Sequence, residues 1–383
     1  MTAIGYTFER RISLFRGWDR FDYLLTACAM ALVGLGLMLI YSASNGLYEG
    51  PVTSFENPVM KQAVFACVGI GVMLIVSQID YHYLIHYAWV FYGIGILALL
   101  AILVLGDSTY GSARWFNVGP IQIQPSEFAK IAVILVLAKY FSEHGGDAKD
   151  VRALLFSLAV VVPVAFLVFI EPDLGTAVIF LAIWLGIVIV AGVGRRNLVL
   201  LGACGLVLVP FVWTFAVADY QVSRVAILVD AEDEALGEGF NVIQSKIAIG
   251  AGQLFGKGFT EGEQTQGRFL QGPNSDYIFS VLAEEFGFVG AMGLFLLFSL
   301  LLMRGIRAAQ IAGDSAGQLV AVGIVVLILL QAFINIAVNV NIFPVTGLPL
   351  PFVSQGGSSL VSLFGSLGLL QSIVIRHRAY RQA

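Results

Sequence analysis

The chain has 383 residues, of which 58% are hydrophobic and only 12% are charged, and its formal net charge is −4. Soluble domains carry roughly 25% charged residues, so this composition and a mean hydropathy of +0.87 exclude a soluble globular protein. Apolar runs of about 20 residues, enough to cross a hydrocarbon core of roughly 30 Å, recur along the chain. The sequence therefore predicts an all-α, polytopic integral membrane protein without a nucleic-acid partner.

Ten transmembrane spans are predicted, all within one membrane domain that occupies residues 1–383. They lie near residues 22–42, 60–79, 87–105, 124–141, 153–170, 174–192, 198–217, 277–303, 318–341 and 357–375. An even number of spans places both termini on the same side of the membrane.

Basic residues indicate which side that is, because lysine and arginine concentrate in cytoplasmic connections. In this chain they flank the face that the termini share. These residues are Arg10, Arg11, Arg16, Arg20, Lys139, Lys149, Arg152, Arg195, Arg196, Arg304, Arg307, Arg376, Arg378 and Arg381. The opposite face carries mostly acids, so we expect both termini to be cytoplasmic.

The first polar motif, residues 111–130, lies on the outer face before the fourth span. Arg114 precedes Trp115, and a helix is predicted to start at Gln124-Pro125. Glu127 and Lys130 are three residues apart, share a helix face and can neutralise each other. Charges at this depth usually face a cavity or a partner; the alternative is an ion pair that only anchors the helix end.

The second motif, residues 171–177, is predicted to form a tight outer turn in which Asp173 caps the following helix. A structural role is favoured here. The largest connection, residues 218–276, follows the seventh span and is expected outside. Within it, residues 239–259 are predicted to form a re-entrant or interfacial helix pair, and the acidic run at 230–238 a solvated loop.

The eighth span begins just after Asp276, where the helix dipole favours a negative charge, so a helix cap is one interpretation of this residue. Glu284 lies eight residues further on, about 12 Å along a helix. It is therefore too far away to share a small reaction centre with Asp276. Glu284 and Glu285 point to different faces of the span.

The last motif, residues 341–360, contains three prolines and repeated glycines between spans nine and ten. Irregular backbone at membrane depth is tolerated where it is buried in protein or lines a polar cavity. Hydroxyl and amide groups there, including Ser354, Gln355, Ser358 and Ser359, make the segment a candidate part of a binding site. All four histidines map to the cytoplasmic side, so an outer proton-transfer group has to be a carboxylate, Lys, Tyr or a hydroxyl.

In this order the motifs resemble the SEDS (shape, elongation, division and sporulation) family of membrane proteins. The resemblance rests on "QPSEFAK" (124–130), "PDLGTA" (172–177), "QSKIAIGAGQLFGKGF" (244–259), "SDYIFSVLAEEFGFVG" (275–290) and "TGLPLPFVSQGGSS" (346–359). It covers the chain from about residue 20 and is closer to the elongation branch, RodA, than to the division branch, FtsW.

The resemblance implies a peptidoglycan glycosyltransferase that polymerises lipid II at the outer face of the bacterial cytoplasmic membrane. The implied partners are a class B penicillin-binding protein, other rod-complex membrane proteins and membrane lipid. The family's catalytic acid corresponds to Asp276, and its important Arg, Glu and Lys correspond to Arg114, Glu127 and Lys130. Two departures stand out: Asn274-Ser275 replaces the usual His-Thr before the acid, and Gln355 replaces a Tyr.

For such a reaction, inversion in one displacement needs a base, assigned to Asp276, and positive charge for the departing pyrophosphate. Arg114 and Lys130 are the first candidates for the pyrophosphate, followed by Arg224 and Lys246 in the large loop. Ser354 and Ser358 complete the expected substrate-binding set. A divalent cation such as Mg²⁺ remains open, since no ligand cluster is evident. The rival interpretations are a flippase for a lipid-linked precursor and a scaffold that recruits an enzyme.

Overall fold

The protein was analysed as a computed structural model. It describes residues 18–45, 54–105, 114–119, 121–144, 150–194, 196–197, 199–200, 202–203, 205, 219–229, 238–270, 272 and 274–380. Across these residues the protein is a helical bundle with one short antiparallel ribbon. The acidic run at 230–237 and most of the predicted seventh span lie outside the described residues.

The elements are, in chain order, α1 (Tyr23–Ser44), α2 (Pro58–Gln78), α3 (Tyr81–His86), α4 (Ala88–Leu105), β1 (Phe116–Val118), β2 (Ile121–Ile123), α5 (Pro125–Glu143), α6 (Val151–Ile170), α7 (Leu174–Val190), α8 (Asp219–Val229), α9 (Glu238–Gly252), α10 (Glu263–Gln266), α11 (Ile278–Ile311), α12 (Ser315–Asn339) and α13 (Gly357–Tyr380). Every predicted span except the seventh coincides with one of these helices.

Within the described chain, seven helices are long and apolar enough to cross a membrane. These are α1, α2, α4, α6, α11, α12 and α13. Helix α7 is equally apolar but has 17 residues, and α5 carries charged residues in both its first and last turns. The protein is therefore a multi-pass α-helical membrane protein, as the composition predicted.

Helix starts follow local capping chemistry. The Asn57 side chain accepts a hydrogen bond from the Val59 N–H, and Pro58 occupies the first turn, where its missing N–H costs nothing. Asp173 caps α7 and Asp314 caps α12 in the same way. The predicted cap at Asp173 is confirmed.

The buried centre of the bundle is formed by α12 and α13. In the most apolar 18-residue stretch of α13, 94% of the residues are buried. Helix α13 packs closely against α2 through small residues. A Cβ atom on Gly69 would lie 2.5 Å from the Phe364 ring, and one on Gly368 would lie 2.8 Å from the Met73 carbonyl oxygen. Because apolar lipid gives helices little drive to associate, such close backbone approach supplies the packing.

Helix α11 is 34 residues long and is broken at Gly287, whose φ of 64° and ψ of −159° are outside the helical region. The backbone groups that this break releases are satisfied by the segment 253–258, the insertion segment. Its four hydrogen bonds are Phe288 N–H to Gln253 O (2.9 Å), Val289 N–H to Leu254 O (3.1 Å), Lys257 N–H to Glu284 O (2.9 Å) and Gly258 N–H to Glu285 O (3.1 Å). The large loop is thus fastened into the body of α11.

This arrangement corrects the predicted helix pair at 239–259. The region holds one helix, α9, followed by the insertion segment; the single-turn α10 comes after it. Gln253, Gly256, Gly258 and Thr260 all have positive φ, which ends the helix after Gly252.

The two adjacent acids of α11 face different neighbours, as predicted. The Glu284 carboxylate accepts hydrogen bonds from the Gln264 N–H at 2.7 Å and from the Thr265 N–H at 3.0 Å, so it caps α10 from another helix. Glu285 accepts a hydrogen bond from the Ser42 hydroxyl of α1. Both acids are buried and serve to join the loop and α1 to α11.

Candidate active site

Asp276 lies in the turn 274–277 immediately before α11 and is half-buried. It does not cap the helix: Tyr277 is the N-cap residue, and the first turn is capped by the Asn339 side chain of α12. The interpretation of Asp276 as a helix cap is therefore wrong. Its backbone carbonyl is instead held by Asn335 and Asn339 from α12, which leaves the carboxyl group outside the helix.

Charged groups from three other parts of the chain act on the Asp276 carboxyl. Burial raises its pKa, a hydrogen bond with the Ser275 side chain and the guanidinium groups of Arg224 and Arg114 lower it, and Asp173 raises it. The net shift is upward. A raised pKa brings a carboxylate closer to the operating pH and makes it a stronger base. Arg114 and Arg224 are therefore the cationic groups that act on the Asp276 carboxyl.

Arg114 is fixed against the turn of the second motif. Its Nε donates to the Glu171 carbonyl at 2.7 Å, and Nη2 donates to the Pro172 carbonyl. The guanidinium group is half-buried, and N–H groups beyond these two bonds remain to meet an anion. Arg114 thus ties the ribbon side of the site to the turn between α6 and α7.

Glu171 is a site residue that sequence reasoning did not single out. It is 2% exposed, and burial raises its pKa to about 8, with Asp173 adding to the shift and Arg114 opposing it. Its Oε1 atom has no hydrogen-bond partner among the residues that the structure describes. Glu171 therefore favours its neutral form at pH 7 beside the charged groups of the site.

Glu127 and Lys130 form an ion pair inside the bundle, with a Lys130 Nζ to Glu127 Oε1 distance of 2.7 Å and exposures of 1% and 2%. Lys130 also contacts Gln331 at 3.3 Å, and Ser362 donates to Glu127 at 3.2 Å. The predicted shared helix face is confirmed. The structure places the pair among α5, α12 and α13, so its charges neutralise each other in the interior.

Three amides on α12, the amide ladder of Gln331, Asn335 and Asn339, connect this ion pair to Asp276. Spacings of four residues put them on one helix face. Gln331 donates to the Pro349 carbonyl at 3.1 Å and Asn335 to the Leu348 carbonyl at 2.8 Å. Sequence reasoning missed the ladder, although amides repeated every four residues in an apolar helix are the signal that reveals it.

Ser354 and Ser358 hold backbone segments in place. Ser354 Oγ donates to the Ser275 carbonyl at 2.5 Å and accepts from the Leu350 N–H at 2.8 Å. Ser358 Oγ donates to the Gln122 carbonyl at 3.0 Å and accepts from the Gln124 N–H at 3.1 Å. Each hydroxyl therefore positions the chain around the site.

The two weaker sequence candidates separate in the structure. Arg224, on α8, acts on the Asp276 carboxyl, whereas Lys246 is exposed on α9. Among the described residues, no group of three or more His, Cys, Asp and Glu side chains could hold a metal ion. The positive charges that act on Asp276 come from Arg224 and Arg114.

The histidines lie at the opposite end of the bundle. His82 contacts Asp314, just before α12 begins, at 2.5 Å, while Asn339 at the end of α12 holds Asp276. The 25 residues of α12 span about 37 Å. His86 contacts Lys139 near the end of α5, His144 is the C-cap residue of α5, and His377 lies in the last turn of α13. The Asp276 end therefore works without an imidazole.

An apolar groove of about 470 Å³ opens beside the site between α2, α4, α5 and α13. Its lining includes exposed Phe91, Ile94 and Phe128, and the ribbon residues Phe116 and Ile123. Ser362, which donates to Glu127, lies on its wall. The groove is suited to hydrocarbon.

Fold and site together define a multi-pass membrane protein with a carboxylate and arginine site at one end of its bundle, next to an apolar groove. The chain belongs to the FtsW/RodA/SpoVE family of cell cycle proteins, which matches residues 22–379.

Two relatives match nearly full length. The chain is 36% identical over 355 residues to the stage V sporulation protein E of Bacillus subtilis, covering 92% of this chain and 96% of that protein. It is 34% identical over 358 residues to the peptidoglycan glycosyltransferase MrdB of Escherichia coli K12, covering 93% and 94%.

Solved structures agree with the fold. One, described as "Structural coordination of polymerization and crosslinking by a peptidoglycan synthase complex", superposes with a TM-score of 0.79 at 33% identity and covers 96% of this chain and 100% of that one. The Thermus thermophilus rod shape determining protein RodA gives a TM-score of 0.68 at 29% identity, covering 96% and 99%.

Proposed function

We propose that this chain is a peptidoglycan glycosyltransferase that polymerises lipid II, with Asp276 as the general base. The observation that carries the proposal is the half-buried Asp276 carboxyl, on which the positive charges of Arg114 and Arg224 act. The carbonyl of the same residue is held by α12. A base and a cationic group are the two elements that an inverting transfer from a pyrophosphate requires. The relatives named as peptidoglycan glycosyltransferases support this assignment.

The reaction joins two lipid-linked sugars in one displacement. The acceptor hydroxyl oxygen forms a bond to the anomeric carbon of the donor as its proton passes to the Asp276 carboxylate. The bond from that carbon to the pyrophosphate oxygen breaks, and the electron pair leaves with undecaprenyl pyrophosphate. An α-linked donor thereby gives a β-linked product without a glycosyl-enzyme intermediate. General base catalysis of this kind contributes about 10²- to 10⁴-fold.

The departing pyrophosphate is assigned to Arg114 and Arg224. Arg114 has N–H groups beyond the two that bind carbonyls, and a guanidinium fork suits phosphate oxygens. Lys130 is committed to Glu127 and is 1% exposed, so we reassign it from the pyrophosphate to support of the amide ladder. Glu127 shares that supporting role.

The apolar groove supports a lipid-linked substrate. Its wall is almost wholly hydrocarbon, and exposed aromatic and aliphatic residues lie at its opening. A polyprenyl chain fits such a surface, whereas a soluble sugar nucleotide has no group to place there. We assign the groove to the tail of lipid II.

The test is polymerisation of fluorescent lipid II by the purified protein in detergent. Asp276→Asn is expected to lower the rate by about 10²-fold or more. The matched control is Glu261→Gln, which makes the same chemical change at an exposed acid of the large loop. Polymer formed by Asp276→Asn at the wild-type rate would remove Asp276 as the base.

Detergent also separates the proposal from the flippase interpretation. A transporter needs two compartments and forms no polymer in micelles, so polymer made there supports an enzyme. Lipid II movement in liposomes with no polymer in either preparation would favour the transporter.

We further propose that the enzyme serves cell elongation, with a class B penicillin-binding protein and other rod-complex proteins as partners. The segment "TGLPLPFVS" (346–354) supports the elongation branch, and the related synthase complex supports a cross-linking partner. The proposed location is the bacterial cytoplasmic membrane, with both termini cytoplasmic and Asp276 outside. Rescue of a strain depleted of its elongation polymerase, but not of one depleted of its division polymerase, is the expected result; the reverse pattern would assign it to division.

A further inference from the structure

The Ser280 N–H belongs to the first turn of α11, whose N–H groups have no acceptor within the helix. The carbonyl four residues back belongs to Asp276, which lies outside the helix. Here the Ser280 N–H donates to Asn339 Oδ1 at 3.2 Å and to the Tyr277 carbonyl at 3.0 Å. The Asp276 carbonyl accepts from Asn339 Nδ2 at 2.8 Å. The Asn339 amide therefore caps the first turn of α11 and also holds the Asp276 carbonyl that lies just outside it.

Asn339 has its hydrogen-bonding capacity fully used. Nδ2 also donates to the Asn335 carbonyl at 2.9 Å, and Oδ1 also accepts from Ser280 Oγ at 2.6 Å. The side chain is completely buried. A flipped amide would set its NH₂ group against the Ser280 N–H and its oxygen against two carbonyls. Only one orientation satisfies every group, so the contact is geometrically defined.

Asn335 supplies a second anchor. It donates to the Asp276 carbonyl at 3.0 Å and to the Leu348 carbonyl at 2.8 Å. Both lone pairs of the Asp276 carbonyl are then occupied, so the peptide is fixed from two directions. Gly347, the residue before Leu348, faces the Asp276 carboxyl: a Cβ atom built on Gly347 would lie 3.7 Å from Asp276 Oδ2.

The large loop joins the same cluster through Ser245 of α9. Ser245 Oγ donates to the Asn339 carbonyl at 2.7 Å and lies 2.5 Å from Ser280 Oγ. Helix α9, α12 and the start of α11 therefore meet at Asn339.

We infer that Asn339, assisted by Asn335, is a positioning residue that sets the direction of the Asp276 carboxyl by holding the Asp276 carbonyl against the capped first turn of α11. This inference rests on the proposed function. Displacement of a reacting group by about 1 Å can cost about 10²-fold in rate, so the side-chain amide matters to turnover although it does not touch the substrate.

The test uses Asn339→Asp, which keeps size and the acceptor for Ser280 but turns the donor that meets the Asp276 carbonyl into an oxygen. The expected result is a kcat about 10²-fold lower with KM within about threefold, and a displaced pH dependence of kcat. The control, Gln318→Glu, makes the same amide-to-acid change at an exposed position of α12. Unchanged kcat and pH profile in Asn339→Asp would overturn the inference, as would a change in KM alone.

A second variant guards against a folding defect. Asn335→Ala removes one of the two bonds to the Asp276 carbonyl and is expected to lower kcat about tenfold, with the thermal midpoint checked in parallel. Wild-type kcat in this variant would leave Asn339 without its proposed assistant and contradict the two-anchor arrangement.

A third measurement does not depend on activity. In a background with Cys28→Ala, Cys67→Ala and Cys204→Ala, Asp276→Cys reports the position of this side chain by its rate of reaction with a maleimide. Adding Asn339→Asp is expected to change that rate at least about threefold, because thiol reactivity follows exposure and local charge. An unchanged rate overturns the positioning role even if the wild type polymerises lipid II. A changed rate with no polymer from the wild type sustains it and removes the proposed function instead.

Discussion

The Gln355 N–H donates to the Asn274 carbonyl at 2.8 Å, which joins the two positions where this chain departs from the SEDS pattern. The bond uses backbone atoms of both residues. It ties the segment before α13 to the turn that carries Asp276, next to the bond from Ser354 to the Ser275 carbonyl. The departures therefore leave the connection between the two segments intact.

Replacement of Gln355 by proline gives the first prediction. Gln355→Pro removes the donor and also restricts Ser354, so we expect a loss of about 1–3 kcal/mol in stability, the cost of an unsatisfied carbonyl, and lower polymerisation. Gln355→Ala keeps the N–H and is expected to remain near wild type. Thermal unfolding in detergent and the lipid II assay measure both. An equal loss of stability and polymerisation in the two variants would show that the side chain, and not the backbone bond, matters.

Glu171 gives a prediction about pH. Its pKa rises from 4.5 to about 8 in the folded protein. Between these values the unfolded chain loses the proton while the folded chain keeps it, so this residue makes stability fall as pH rises from about 4.5 to about 8. Glu171→Gln cannot ionise and removes that loss. We expect the variant to raise Tm by at least about 2 °C at pH 8 and to have little effect at pH 4.5. A pH-independent change in Tm would contradict the assignment.

The buried pair gives a third prediction. Lys130→Met leaves the Glu127 carboxylate uncompensated, so we expect a loss of about 3–5 kcal/mol. Glu127→Gln is expected to be comparably harmful, because it leaves the ammonium group unpaired. Combining the two changes removes both charges and is expected to recover much of the loss. Unfolding midpoints of the four proteins form a double-mutant cycle, and additive losses would argue against coupling.

Gly287 gives a fourth prediction. Its φ is +64°, and a Cβ atom would lie 2.4 Å from the Gly256 nitrogen. Gly287→Ala is therefore expected to displace the insertion segment and cost at least about 1 kcal/mol. Gly293→Ala on the same helix meets nothing within 4 Å and is expected to be neutral or to stabilise by up to about 1 kcal/mol. Thermal unfolding and protease sensitivity of the large loop distinguish the two variants. Equal tolerance of both changes would show that the insertion segment does not depend on this glycine.

The spans and their caps could be predicted because their causes are local. Twenty apolar residues suffice to indicate a span. The Asp173 side chain caps α7 by accepting from the Thr176 N–H, only three residues further on. The separation of Glu284 from Glu285 followed from helix geometry alone. These predictions needed no knowledge of which helices pack together.

Contacts between distant residues were beyond the sequence. Asp276 meets Asn339 at a separation of 63 residues, and the choice between helix cap and clamped peptide depended on that contact. Lys130 looked equally suited to a pyrophosphate until its burial beside Glu127 and Gln331 was known. The break at Gly287 depends on contacts with the insertion segment. That segment forms neither a helix nor a strand, so it has no periodic pattern that the sequence could reveal.

The break at Gly287 and the hold on the Asp276 carbonyl depend on parts of the chain that are synthesised at different times. The insertion segment precedes α11 in the chain, so the break at Gly287 can be closed while that helix enters the membrane. Asn339 lies at the far end of α12, so the Asp276 carbonyl has no donor from it until that helix has been synthesised and inserted. In a nascent chain that ends before α12, Asp276 therefore lacks its contacts with Asn335 and Asn339. The clamped arrangement of Asp276 is then a property of the nearly complete polypeptide.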